Sequence, residues 1–156
     1  AVYCHGARAW FPAGEWVSSS IVPAKDHYHD AVKRALVKDG CTVVREQVYF
    51  SDNQRHIWID LGIQRGTDAT LVLVEIKGFE SSASLLDALM SAIGQYVVYR
   101  AMLDFLDLPH PLYLAIPVAA FDGIFQVPVA KQAIESLGIR LVVFEPVTEE
   151  IVRWMD

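Results

Sequence analysis

The chain has 156 residues, enough for one domain that buries its own core without covalent staples. Its 53% hydrophobic and 21% charged residues exclude a disordered chain, and its apolar runs are too short and interrupted to span a bilayer. A net charge of −6 argues against a stand-alone nucleic-acid binder, although the charges balance up to Lys77 and the whole deficit falls beyond it. Any nucleic-acid contact is therefore expected on the first half, and the acidic second half suits a protein partner or solvent. Cys4 and Cys41 form neither a disulfide framework nor a metal-ligand spacing, which fits a reducing, cytoplasmic setting.

Residues 1–22 carry Gly, Ser, Pro and scattered aromatics (Trp10, Phe11, Trp16) without periodicity. They lack the basic start and apolar run of a signal peptide and read as an irregular N-terminal extension to a single domain over 23–156. Asp26 is the expected N-cap of a first helix ending near Asp39, with Gly40 in the left-handed C-terminal position. Tyr28, Ala31, Val32, Ala35 and Leu36 recur with helical spacing as one apolar stripe. Asp30 lies off it, and reads either as a partner of Arg34 four residues on or as an acid near a metal or phosphate site. His27 and His29 fall on different faces and read as surface residues.

Cys41 to Phe50 reads as a first strand, and His56 to Ile63 as a second in which Ile57, Ile59, Leu61 and Ile63 share one face and Trp58, Asp60 and Gly62 the other. His56, on the Trp58 face, reads as a strand-end surface residue, and Gly62 and Gly66 as turn residues. A third strand, Ala69 to Lys77, is apolar on both faces and is expected to be central, with Leu71, Leu73, Glu75 and Lys77 pointing one way. A long helix follows over Ser84 to Leu106. Leu85, Leu86, Leu89, Met90, Ile93 and Val97 give it a broad apolar side, while Ala88, Ser91, Ala92, Gln95 and Tyr99 form a face of smaller residues for close approach to the sheet. Then come a strand at Leu112 to Val118, a helical segment interrupted at Pro128 and capped by Gly138, a strand at Ile139 to Glu145, and a short sixth at Glu150 to Trp154. The fold class is α/β, a mixed central sheet flanked by helices in the order α-β-β-β-α-β-α-β.

Charges on a buried strand are costly unless paired or holding a metal, so Glu75 and Lys77 stand out. Asp60 and Glu75, from adjacent strands, together with the Ile76 carbonyl, offer the oxygen ligands that Mg²⁺ or Mn²⁺ prefers. Such an ion stabilises charge developing on a phosphate and acidifies bound water. Lys77 would orient that water or offset phosphate charge, and Gln95 and Tyr99, four apart on the following helix, would hydrogen-bond the site. The competing reading takes Lys77 as an exposed strand-end residue paired with Glu75 or Asp60.

Asp60, Glu75-Ile76-Lys77 and Gln95-Tyr96-Val97-Val98-Tyr99 resemble the motifs of the restriction-endonuclease-like PD-(D/E)xK superfamily, the last matching the Q-x₃-Y feature of its RecB-like branch. Pro23-Ala24-Lys25-Asp26, His29-Asp30-Ala31-Val32-Lys33, Ile59-Asp60-Leu61-Gly62, Val74-Glu75-Ile76-Lys77, Gly94-Gln95-Tyr96, Leu112-Tyr113-Leu114-Ala115-Ile116-Pro117 and Ile151-Val152-Arg153-Trp154, in that order, resemble the XisH family, excision-controlling factors of the cyanobacterial fdxN element. The family usually has Glu where this chain has Asp30. The resemblance implies a restriction-endonuclease-like fold and a cytoplasmic factor in site-specific DNA excision. It also implies a small XisI-type partner protein and a separate recombinase. Asp60, Glu75, Lys77, Gln95 and Tyr99 would then be the site residues of a Mg²⁺- or Mn²⁺-dependent endonuclease. The alternative is a non-catalytic regulator that keeps the fold and acts by binding XisI or the recombinase.

Overall fold

Why the long apolar stretches pair as they do is answered by a computed structural model that describes residues 27–52, 54–80 and 84–156. The elements run α1 (His29–Lys38), β1 (Cys41–Ser51), β2 (His56–Arg65), β3 (Val72–Ile76), α2 (Leu85–Phe105), β4 (Leu112–Pro117), α3 (Val118–Asp122), a 3₁₀ turn (Ile124–Gln126), α4 (Pro128–Leu137), β5 (Leu141–Glu145) and β6 (Glu150–Met155). The six strands form one open mixed sheet in sequential order. The first three make an antiparallel meander, β3–β4 and β4–β5 are parallel, and β6 returns antiparallel to β5. The α/β class and the central position of β3 agree with the sequence. All five residues of β3 are buried. The expected extension over 1–22 and the Asp26 cap lie outside the described residues, and α1 begins after Tyr28 with no side-chain cap. Among the described residues no helix is long and apolar enough to cross a membrane.

Two cores lie on opposite faces of the sheet. On one, Leu89, Ala92, Tyr96 and Leu103 of α2 pack against Ile59, Leu73, Leu114, Ile116 and Val143. On the other, Val32 and Leu36 of α1 pack against Leu61, Ile63, Val72, Val74, Ile76 and Phe144. The alternation of β3 is thus real: Leu71 and Leu73 serve the α2 side, while Val72, Val74 and Ile76 serve the α1 side.

Local signals set the ends of the helices. Ser84 caps α2, its Oγ accepting from the Asp87 N–H at 3.2 Å, and Asp87 lies where the helix dipole favours a negative charge. Pro128 starts α4, and Gly138 ends it at φ 58°.

Several expectations are corrected. His29 is 1% exposed, not a surface residue, because α1 turns it inward with Val32 and Leu36, three and seven residues on. Arg34 pairs with Glu149 (2.6 Å), not with Asp30, since the β5–β6 turn brings that carboxylate to the helix. Ile57 and Ile59 serve the α2-side core, whereas Leu61 and Ile63 serve the α1-side core, so these four residues do not keep to one side. The change falls at Asp60, across from Gln47, whose φ of 52° breaks the regular alternation of β1. Gly62 is no turn residue: it sits in β2 opposite Leu73, where a Cβ would meet Leu71 and Val48 at 3.1 Å. On α2, Leu85, Leu86 and Met90 are exposed, and the helix buries Leu89, Ala92, Tyr96 and Leu103 instead. Polar contacts decide that rotation. The Tyr96 hydroxyl donates to the Leu112 carbonyl (2.9 Å) and accepts from the Arg140 N–H (3.1 Å).

Candidate functional site

The β2–β3 ladder runs through Ile63↔Val72, Gly62↔Leu73 and Leu61↔Val74, a register that sets Asp60 across from Glu75. Here the main-chain pairing gives way to a side chain. The Ile76 N–H donates to Asp60 Oδ2 at 2.9 Å, so this carboxylate takes the place of a ladder carbonyl. Gln47 Nε2 donates to Asp60 Oδ1 at 3.3 Å. Asp60 is thereby fixed at the point where β2 parts from β3.

Glu75 lies beside it, 4% exposed and facing the α2 side in line with Leu73. Gln95 Nε2 donates to Glu75 Oε1 at 2.8 Å and to the Tyr99 hydroxyl at 2.5 Å. Lys77 Nζ stands 3.3 Å from the same Oε1, with its side chain 29% exposed. Although β3 ends at Ile76, the Lys77 N–H still donates to the Ala115 carbonyl (2.9 Å), which keeps Lys77 on the strand path and on the Glu75 side. The five side chains singled out in the sequence therefore converge at one strand end. The Lys77–Glu75 contact also meets the competing reading of a strand-end ion pair. Ile76 joins the cluster through its N–H.

Burial first, and the Asp60 charge second, push the Glu75 carboxyl up to about 8, with Lys77 opposing both. The Tyr99 hydroxyl is raised too, by burial and by Glu75, against the Gln95 hydrogen bond. Glu75 Oε2 is buried and makes no hydrogen bond. A buried, unpartnered carboxylate oxygen beside a second carboxylate suits a divalent cation, which would satisfy the oxygen and neutralise the repulsion. The donor set is small, however: among the described residues no three His, Cys, Asp or Glu side chains converge on one point. The fit rests on two carboxylates and main-chain oxygen.

Gln47 is the site residue that sequence reasoning missed. Its backbone sits in the left-handed region, uncommon for a non-glycine residue, and this aims its amide at Asp60. Asp30 is exposed, 3.5 Å from His29 Nδ1, on the α1 side of the sheet, and is not part of the cluster. His29 Nε2 in turn lies 3.8 Å from Glu46, which also binds Lys33. Two concavities, of about 440 and 360 Å³, share Gly138, one along α4 and the other along the end of α2, and neither is lined by Asp60 or Glu75.

The model of one protein family, XisH protein, matches residues 22–152. The chain belongs to the XisH family. Two solved structures share its fold. The crystal structure of an XisH family protein from Nostoc punctiforme has 26% identity and a TM-score of 0.77, over 84% of this chain and 100% of that one. That of an fdxN element excision controlling factor protein from Anabaena variabilis has 26% identity and a TM-score of 0.76, over 83% and 98%. No curated protein matches the chain. Both solved structures are covered almost end to end, so the likeness in fold extends over most of this chain.

Proposed function

We propose that this chain is an excision-controlling factor for site-specific DNA rearrangement, working through a restriction-endonuclease-like, PD-(D/E)xK-type site for metal-dependent phosphodiester hydrolysis. The observation that carries the reading is Glu75: buried, raised to about 8 and with one oxygen unpartnered beside Asp60. Gln95 and Lys77 satisfy Oε1 alone, so burying this acid costs more than its protein partners return.

Asp60, Glu75 and the Ile76 carbonyl would hold Mg²⁺ or Mn²⁺, which when bound offsets phosphate charge and acidifies a water. Asp60 is held ready by Gln47 and the Ile76 N–H, which keep both its oxygens oriented. Burial and the Asp60 charge favour the protonated form of Glu75, and a bound cation would favour the ionised one. Lys77, partly exposed and 3.3 Å from Glu75 Oε1, would contact the phosphate or a water. Gln95 fixes the Glu75 rotamer, and Tyr99 closes the α2 side of the site.

A second reading is favoured by the surface of α2. The exposed Leu85, Leu86 and Met90, with the acidic balance beyond Lys77, suit a regulator that binds an XisI-type partner protein or the recombinase without cutting. Incubation with plasmid and linear DNA, with and without Mg²⁺ or Mn²⁺, separates the two. Metal-dependent cleavage that is lost in Lys77→Ala is expected. No cleavage with either metal, alone or with the partner added, combined with tight partner binding, would leave the regulator.

A further inference from the structure

The outward side of α2 is apolar along its whole length. Leu86, Met90, Gly94, Val98, Ala101 and Phe105 follow one another at three- and four-residue steps, and all six are exposed, Leu86 by 49%, Met90 by 56%, Val98 by 59% and Phe105 by 75%. A helix on the surface of a domain ordinarily turns charged residues to this side. Here the helix carries only three charged residues. Arg100 donates to the Leu137 carbonyl at 2.6 Å and so turns to α4, while Asp87 and Asp104 lie in the first and last turns, on opposite edges of the stripe.

Gly94, near the middle of α2, has no reason within its own fold. Glycine is the poorest helix former after proline, no positive φ calls for it here, and a Cβ built at this position would meet nothing within 4 Å among the described residues. A second helix lying close against it supplies the reason. Counted from the middle of the helix, Leu86 and Phe105 lie equally far out, as do Met90 and Ala101, and Gly94 and Val97. Running the helix antiparallel against itself thus sets methionine on alanine and valine on glycine, large against small, with Leu86 and Phe105 closing the ends. A two-fold interface demands this self-complementarity, since residue i meets residue j twice. An unrelated partner would not require it.

We propose that α2 packs antiparallel against α2 of a second copy of this chain, across a two-fold axis beside Gly94. The pairing stands apart from both readings of the Asp60–Glu75 cluster, because Gln95 and Tyr99 reach that cluster from the other side of the helix. A stripe about 30 Å long and about 10 Å wide gives roughly 300 Å² per copy, short of the ~800 Å² of a standard complex, so the dimer is weak, with a Kd of about 10–100 µM. Two chains of net charge −6 repel each other, and an uncharged contact between them is one that added salt strengthens.

Sedimentation of the full chain from about 1 to 500 µM is expected to show a monomer–dimer equilibrium that tightens with salt. Met90→Lys and Ala101→Glu, both at exposed positions, are each expected to weaken it about tenfold or more. An equimolar mixture of the two is expected to restore it, because position 90 of one copy meets position 101 of the other. Gly94→Gln separates the two roles of that position. It favours the helix and is expected to raise the melting temperature of the dilute monomer by about 2 °C, yet to weaken the dimer as Met90→Lys does. Val147→Lys makes the same change of charge at a turn residue 88% exposed and is expected to leave the dimer unchanged. A monomer at every concentration overturns the pairing and leaves the face to a different protein. So does a dimer that the three α2 variants do not weaken, or a mixture that stays monomeric.

Discussion

Glu75 is the residue at which stability and chemistry pull against each other. Its carboxyl is pushed up to about 8 from an ordinary value of 4.5, by burial first and by Asp60 second. Between those values the native state binds a proton that the unfolded state has released. The contribution of Glu75 to stability is therefore fully present below about 4.5 and is lost as pH rises towards about 8. Glu75→Gln keeps the Gln95 contact and removes the titration. Its melting temperature is expected to exceed that of the wild type by several degrees near pH 8, with the gap closing towards pH 5, as read from thermal unfolding across that range. A gap that does not change with pH would remove Glu75 as its cause. Mn²⁺ is expected to raise the wild-type melting temperature at the upper end of the range and to leave the Gln variant unmoved. At this scale Asp60, Glu75, Lys77, Gln95 and Tyr99 were legible because strand alternation and helical four-residue spacing put them on shared faces. Gln47 was not, since no local pattern announces a left-handed residue within a strand.

Among the elements, α2 shows most directly how polar groups overrule an apolar pattern. Its ends, at Ser84 and Leu106, were legible, but its rotation was not, because leucines and methionine crowd one side and small residues another. Hydrophobic periodicity alone cannot choose between two apolar faces. The choice falls to the Tyr96 hydroxyl, which ties the start of β4 to the residue before β5, and to Gln95, which reaches Glu75. The leucines at the start of the helix are left in solvent. Tyr96→Phe deletes both hydrogen bonds while keeping the ring, and it leaves the buried Leu112 carbonyl and the partly buried Arg140 N–H without this partner. A loss of about 1–3 kcal/mol in urea unfolding is expected, with an unchanged slope. A variant as stable as the wild type would show that the hydroxyl does not set the rotation. Strand β2 was misjudged for a related reason. The irregular residue across from the change, Gln47, belongs to β1, and alternation read along β2 alone cannot reveal it.

Across the whole molecule, α1 ties the first strand of the sheet to the last. It leads directly into β1, packs on the α1-side core, and meets the β5–β6 turn and β6 through Arg34–Glu149, Lys38 to the Thr148 carbonyl, and the Trp154 Nε1–H donating to Asp39 (2.9 Å). Trp154 is the hub of this closure. The Arg65 guanidinium of β2 lies 4.0 Å from its ring centroid, and Tyr113 of β4 meets it edge-on at 5.0 Å. Helix and strand order were legible in the sequence, whereas this contact between opposite edges of the sheet was not, because it depends on sheet twist and on residues more than a hundred positions apart. Since one indole joins β2, β4, β6 and the end of α1, its loss acts on the cooperative unit and not on one terminus. Trp154→Ala removes a half-buried indole, a cation–π contact and a hydrogen bond, and a loss of about 2–4 kcal/mol is expected. With Trp10 and Trp16 replaced by Phe, so that Trp58 is the one indole left in the Trp154→Ala chain, far-UV circular dichroism and fluorescence are expected to report one shared, lowered unfolding midpoint. If β6 instead frayed alone, the Trp58 signal from the hairpin would keep the wild-type midpoint, and the sheet would not be closed through α1.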